Sequence, residues 1–301
     1  MSQEQREAVE GLLRGGPLDI GGEAPEQRVI FEQMLAARPL AADVTTRQDM
    51  LGGVPVVAVD AAGTEPRGVV VYFHGGGYAL GSAAATAGLA SEVARSAGAR
   101  VVSVDYRLAP EHPYPAAVDD ALAAWRGLLE TGQDPAETAF AGESAGGGLV
   151  LAAMLAARDA GLPLPSSAVL MSPWADLTLA GASMTGKAAA DPALTVAGLR
   201  RRALDYAAGQ DLAQPLISPV FGDLAGLPPL LIQVGSDEIL LDDATRLAAR
   251  AAACDVAVTL QVTPGVPHVF QGFAAVLDEG AAALASAGSF LRDHLTVGAV
   301  Q

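Results

Sequence analysis

Short runs of β-branched residues alternate along this chain with longer Ala- and Leu-rich stretches, and that alternation restricts the possible fold more than any other feature. A strand reached through helical crossovers is covered on both faces. Such strands therefore read as continuous apolar runs in a mostly parallel sheet flanked by helices. Strands are predicted at residues 54–59, 69–73, 100–104, 138–141, 168–171, 230–234 and 257–262. Helices are predicted at 83–97, 116–129, 145–160, 243–253 and about 281–294, with Asp243 placed to cap the fourth. The fold class is α/β. With 51% of its 301 residues hydrophobic, the chain can fill the core that such a sheet requires.

Two regions interrupt the alternation. The first 45 residues hold amphipathic stretches at 5–13 and 27–37, divided by a glycine-rich segment, and residues 176–222 lengthen a crossover that should be short and carry a helix at 196–208. Long loops inside a compact domain usually cover a functional site. The expectation is a single domain over 1–301, with a helical cap formed by about 1–45 and 176–222.

Charge limits the partners. Eighteen basic residues against 34 acidic give a net charge of −16, which argues against nucleic acid or an anionic membrane surface. The polar amino terminus lacks the apolar stretch of a signal peptide. No apolar run approaches the about 18 residues of a membrane span, so a cytoplasmic location is expected. Cys254 is the one cysteine, which leaves no intramolecular disulfide and no multi-cysteine metal site. No two histidines have metal-ligand spacing, and neither metal nor cofactor is expected.

The strand ending at Ala141 runs into Gly142-Glu143-Ser144-Ala145-Gly146-Gly147 and then directly into a helix. This is G-x-S-x-G in a strand–turn–helix context. The turn forces a strained backbone on Ser144, lifting its hydroxyl clear of the sheet, and the flanking glycines leave room for the neighbouring backbone. Gly181-Ala182-Ser183 comes close to the same pattern but has no strand before it. The strand ending at Phe73 leads into His74-Gly75-Gly76-Gly77-Tyr78. Its glycines allow backbone N–H groups to meet a developing oxyanion, and the expected donors are the amides of Gly76, Gly77 and Ala145. His74 is expected to pin this loop. Gly75, Gly77 and Gly81 with Asp105 also approximate a dinucleotide-binding fingerprint, a reading that leaves the Ser144 turn without purpose.

After the strand at 230–234 come four carboxylates, Asp237, Glu238, Asp242 and Asp243. Asp237 lies closest to the strand end and is the expected orienting acid. Glu238 should point away from it if the chain stays extended, and the last two are explained by the start of the next helix. His268 follows the final strand and is the expected general base. The order Ser144, Asp237, His268 suits acyl transfer on an α/β sheet.

Together these motifs resemble the hormone-sensitive-lipase-like family of bacterial esterases, in the α/β-hydrolase superfamily. They are HGGGY at 74–78, DYRLAPEHPYPAA at 105–117, GESAGGG at 142–148, SPWADLT at 172–178, GSDEILLDD and PHVFQGF. The resemblance implies the same nucleophile, acid, base and oxyanion donors, and a cap built from the same two segments. Glu143 departs from the Asp or Thr more usual in the family. Arg107 and Asp119 are expected as polar anchors, Trp174 as a pocket wall or core aromatic. By location, Tyr78, Trp174, Phe31, Met34 and Leu204 are the candidate substrate-binding residues.

The implied activity is a serine carboxylesterase acting on short- to medium-chain esters through an acyl-enzyme. One branch of the family, similar over the segment around Asp237 and His268, contains monoterpene ε-lactone hydrolases, which makes a lactone substrate for the same triad the alternative. A non-catalytic receptor, as in plant gibberellin receptors, is the alternative of another class, although the histidine those receptors lack is present here as His268. The family also implies a possible homodimer.

Overall fold

The computed structural model describes residues 3–37, 40–61 and 66–295. Four positions of the expected cap (1, 2, 38 and 39) lie outside these. The strands are β1 (Val44–Leu51), β2 (Val54–Ala61), β3 (Val69–Phe73), β4 (Arg100–Val104), β5 (Thr138–Glu143), β6 (Ala168–Met171), β7 (Leu230–Gly235) and β8 (Val258–Thr263). They form one sheet in the order β1-β2-β4-β3-β5-β6-β7-β8. The pairs β1–β2 and β2–β4 are antiparallel and the remaining pairs parallel.

The helices are α1 (Gln3–Arg14), α2 (Ala24–Ala36), α3 (Ala87–Ala97), α4 (Ala116–Glu130), α5 (Ala145–Asp159), α6 (Ser183–Gly186), α7 (Val196–Ala207), α8 (Leu241–Ala253) and α9 (Asp278–His294). Two apolar layers divide them. On one face α4, α5 and α8 contribute Trp125, Leu149, Leu151 and Leu247 to a core with Phe73 and Phe140. On the other, α3 and α9 bring Val93, Ala94, Leu284 and Leu291 against Val70, Tyr72 and Val101. Strands between two layers have no wet face, which is why β5, β6 and β7 are buried throughout.

Strand β1 has no counterpart among the predicted strands. Its VTTRQDML sequence is polar and exposed over most of its length, so it carries neither an apolar run nor an alternation. It forms a hairpin with β2 through Gly52 and Gly53, whose φ values of 56° and 81° suit a two-residue type I′ turn. The sheet thus begins at Val44, inside the segment expected to belong to a cap. Helix α3 starts at Ala87, later than the predicted residue 83, and the amide of Ala83 instead donates to Asp105 at 2.8 Å.

Asp243 does not cap α8. It is buried, and its Oδ2 accepts from the amides of Ala175 (2.9 Å) and Asp176 (2.8 Å), while Asp242 accepts from the Ser183 amide at 2.9 Å. Both carboxylates fasten the start of the 176–222 segment to α8. That segment also meets the amino-terminal one. Arg201 donates to the Gly21 carbonyl (3.0 Å) and Glu23 (2.8 Å), and Arg202 to the Gly22 carbonyl (3.1 Å). Arg28 of α2 donates to the carbonyls of Ala79 (2.7 Å) and Ala109 (2.8 Å), seating the amino-terminal segment on the loops that follow β3 and β4.

Candidate active site

Parallel strands deliver their carboxyl ends to one edge of the sheet, so the segments after β3, β5, β6, β7 and β8 converge there. The turn after β5 carries Ser144 with φ 55° and ψ −122°, a conformation that costs energy for a residue with a Cβ. The Ser144 amide donates to the Met171 carbonyl at 2.9 Å, and its carbonyl accepts from Trp174 at 2.9 Å, which hold the turn. Crowding explains its glycines. A Cβ on Gly146 would lie 1.9 Å from the Phe73 carbonyl oxygen. Helix α5 starts at Ala145, directing its positive end at the Ser144 hydroxyl.

The structure brings Ser144 and His268 together, with His268 Nε2 2.9 Å from Ser144 Oγ. The other imidazole nitrogen, Nδ1, lies 2.6 Å from Oε2 of Glu238. The sequence-based choice of Asp237 for this place is therefore corrected. The Asp237 amide is bound to the Val266 carbonyl (3.1 Å), and its side chain is 40% exposed, near Ser236 Oγ (3.1 Å) and Lys187 Nζ (3.7 Å). The chain does not stay extended beyond Gly235 but bends through 236–238, and it is Glu238 that this bend turns inward. Its carboxylate is fully buried, and its Oε1 accepts from Ser172 Oγ (2.8 Å) and the Gly235 amide (2.7 Å). Ser172 Oγ in turn accepts from the Val269 amide (3.1 Å), tying the acid to the histidine loop.

Burial pulls the imidazolium of His268 toward deprotonation, but Glu238, Asp191 and Glu143 outweigh it, and the His268 pKa is raised above 6.5. Asp191 is a further member of this surround, unmarked in the sequence. It comes from the 176–222 segment, is buried, and accepts from the amides of Ile239, Ala193 and Leu194, each at 2.8 Å.

The loop after β3 approaches Ser144 from the opposite side. Gly76 and Gly77 have φ of 115° and 62°. Among the described residues, the N–H groups of Gly76, Gly77 and Ala145 have no hydrogen-bond acceptor. His74 is buried beneath this loop, stacked on Tyr106 at 4.4 Å, with Nδ1 2.8 Å from the Gly75 carbonyl. A carbonyl only accepts, so the proton is on Nδ1. Burial lowers the His74 pKa and favours that neutral form.

The candidate pocket residues divide. Tyr78 and Trp174 are buried, and Tyr78 stacks on Tyr206 at 3.9 Å; both pack in the core. Phe31 and Met34 of α2 are half-buried, and the Phe31 ring lies over Gly81. Leu204 is 58% exposed on the outward side of α7 and drops out. Arg107 is anchored by Asp120 (2.7 Å), whereas Asp119, expected as a polar anchor, is exposed. Among the described residues no three His, Cys, Asp or Glu side chains cluster as metal ligands, and no helix is long and apolar enough to cross a membrane.

A family profile described as alpha/beta hydrolase fold matches residues 70–272. An acetyl-hydrolase of Streptomyces hygroscopicus is 51% identical over 223 residues, covering 74% of this chain and 75% of that protein. A solved esterase from the bacterial hormone-sensitive lipase family superposes with a TM-score of 0.94 at 42% identity, over 98% of this chain and 100% of that one. EstE5, solved after its crystal was soaked by p-nitrophenyl butyrate, superposes with a TM-score of 0.92 at 39% identity, over 98% and 99% of the two chains. With that sheet order, a serine on the turn after its central strand and relatives this similar, the chain belongs to the α/β-hydrolase fold family, in its bacterial hormone-sensitive-lipase branch.

Proposed function

We propose that the protein is a serine carboxylesterase that cleaves short- to medium-chain carboxylic esters through an acyl-enzyme. The observation that carries this reading is the hydrogen-bonded chain Ser144–His268–Glu238 facing amides that bind nothing within the described protein. Neutral His268 accepts the Ser144 proton as Oγ attacks the ester carbonyl. Glu238 fixes the tautomer with the proton on Nδ1 and stabilises the imidazolium that forms. The carbonyl oxygen becomes an anion received by the amides of Gly76, Gly77 and Ala145. The alcohol leaves with the proton from His268. Water then repeats the sequence on the acyl-Ser144 ester and releases the acid.

The amino-terminal helices and the 176–222 segment act as the cap of this site. The arginine contacts that join them, and those of Arg28 with the loop after β3, support that assignment. Short acyl groups suit a relative named acetyl-hydrolase and a neighbour soaked with a butyrate ester. The outer edge of β8, where Leu260 and Val262 are exposed, suits a homodimer, which sedimentation velocity would test. Turnover of p-nitrophenyl esters from acetate to decanoate tests the activity. Rates should peak at short acyl chains and vanish in Ser144→Ala. Turnover that persists in that variant overturns the reading.

A further inference from the structure

The nucleophile and the oxyanion loop come from different strands, and a single side chain bonds one to the other. Glu143, immediately before Ser144, reaches across to the loop after β3, where its Oε1 accepts from the Gly75 amide at 2.7 Å. The same residue is held from its other end, since the Gly75 carbonyl accepts from His74 Nδ1 at 2.8 Å. Gly75 is thus pinned on both sides, directly before the two glycines with positive φ. Contact with the nucleophile is close, for a Cβ built on Gly75 would lie 3.1 Å from Ser144 Cβ.

Glu143 is buried, and burial pushes its carboxyl up to about 7 despite the Tyr72 hydroxyl and the Gly75 amide, which favour the carboxylate. An apolar side chain would avoid that desolvation penalty. A buried carboxyl here needs a reason, and the Gly75 amide supplies one. We propose that Glu143 is a positioning residue, whose carboxyl oxygen holds the glycine loop in register with Ser144 so that the Gly76 and Gly77 amides meet the oxyanion. This rests on the esterase reading above. The effect passes through Gly75, and Glu143 itself need not touch the substrate.

Glu143→Ala removes the acceptor, whereas Glu143→Gln keeps an acceptor oxygen and removes the charge. In the alanine variant kcat on p-nitrophenyl butyrate should fall about 10- to 100-fold with KM little changed, because a misplaced donor weakens the transition state more than the ground state. The glutamine variant should recover most of it. Hydrogen exchange gives a readout independent of turnover. Amides of the 74–78 segment should exchange faster in Glu143→Ala and return toward wild type in Glu143→Gln. If the alanine variant fails to fold by circular dichroism, Glu143→Leu fills the volume without an acceptor and takes its place. Unchanged kcat and exchange in the acceptor-free variant overturn the proposal, as does a glutamine variant as impaired as alanine. A wild type that turns over no ester refutes the esterase reading, while the exchange data still report on the loop.

Discussion

Adjacent carboxylates at 237 and 238 have opposite fates, and the difference is one step through the bend that follows β7. Chain order and the strand ends were legible, so Ser144 and His268 could be named together. Which of two neighbouring acids faces inward depends on how the chain leaves β7, through the bond between the Asp237 amide and the Val266 carbonyl, a residue far along the sequence. Glu238→Gln should therefore reduce kcat by about 10³–10⁴-fold, the scale expected when the imidazole loses its orienting acid. Asp237→Asn should stay within about twofold of wild type, and the reverse ranking would restore Asp237 to the site. The pH profile tests the same trio. His268 must be neutral to act as base and its pKa is raised, so kcat/KM should climb with pH along a limb centred above 6.5. In an active Glu238→Gln variant that limb should move to lower pH, because the carboxylate that favours the imidazolium is gone.

The elements the sequence displays best are those buried on both faces, where a run such as VVVYF in β3 leaves little choice. Strand β1 is hidden for the opposite reason. It lies at the sheet edge, its side chains meet water, and only the Gly52–Gly53 pair signals a hairpin. That pair makes an unequal prediction. Both glycines have positive φ, but a Cβ on Gly52 would lie 2.0 Å from the Ala123 carbonyl oxygen of α4, while one on Gly53 meets open space. Gly53→Ala should cost only the left-handed backbone penalty, about 1–2 kcal/mol. Gly52→Ala should cost more, since helix or hairpin must shift. Urea unfolding midpoints would rank the two, and equal losses would mean the hairpin does not pack on α4 as described. Leu204 shows a related limit. An apolar residue on a cap-like helix invites a pocket role, but which way α7 faces is set by its buried Leu199, Arg202, Ala203 and Tyr206.

At the scale of the whole molecule the acidity first read as a constraint on partners becomes a statement about stability. Two kinds of carboxyl group act in opposite directions. Glu23, Asp43, Asp49 and Glu111, beside arginines or backbone amides at the surface, have lowered pKa values. What they contribute is present above their unfolded values and fades only as pH falls through the lowered folded ones. Burial raises the pKa of Asp243, Asp191 and Glu143, the last to about 7. A raised carboxyl holds more protons folded than unfolded, so its contribution is complete below the unfolded pKa and is lost as pH rises through the folded one. His268, also raised, acts in the same direction. Deprotonation adds to a net charge already at −16, and self-repulsion grows alongside. The thermal midpoint followed by circular dichroism should therefore be higher at pH 5.5 than at pH 8. Adding 0.5 M NaCl at pH 8 should recover only part of the difference, because salt screens the surface repulsion but not the desolvation of buried carboxyls. A midpoint that rises between pH 5.5 and 8 would mean these carboxyls ionise in the folded protein without penalty. Full recovery in salt would assign the whole loss to the surface.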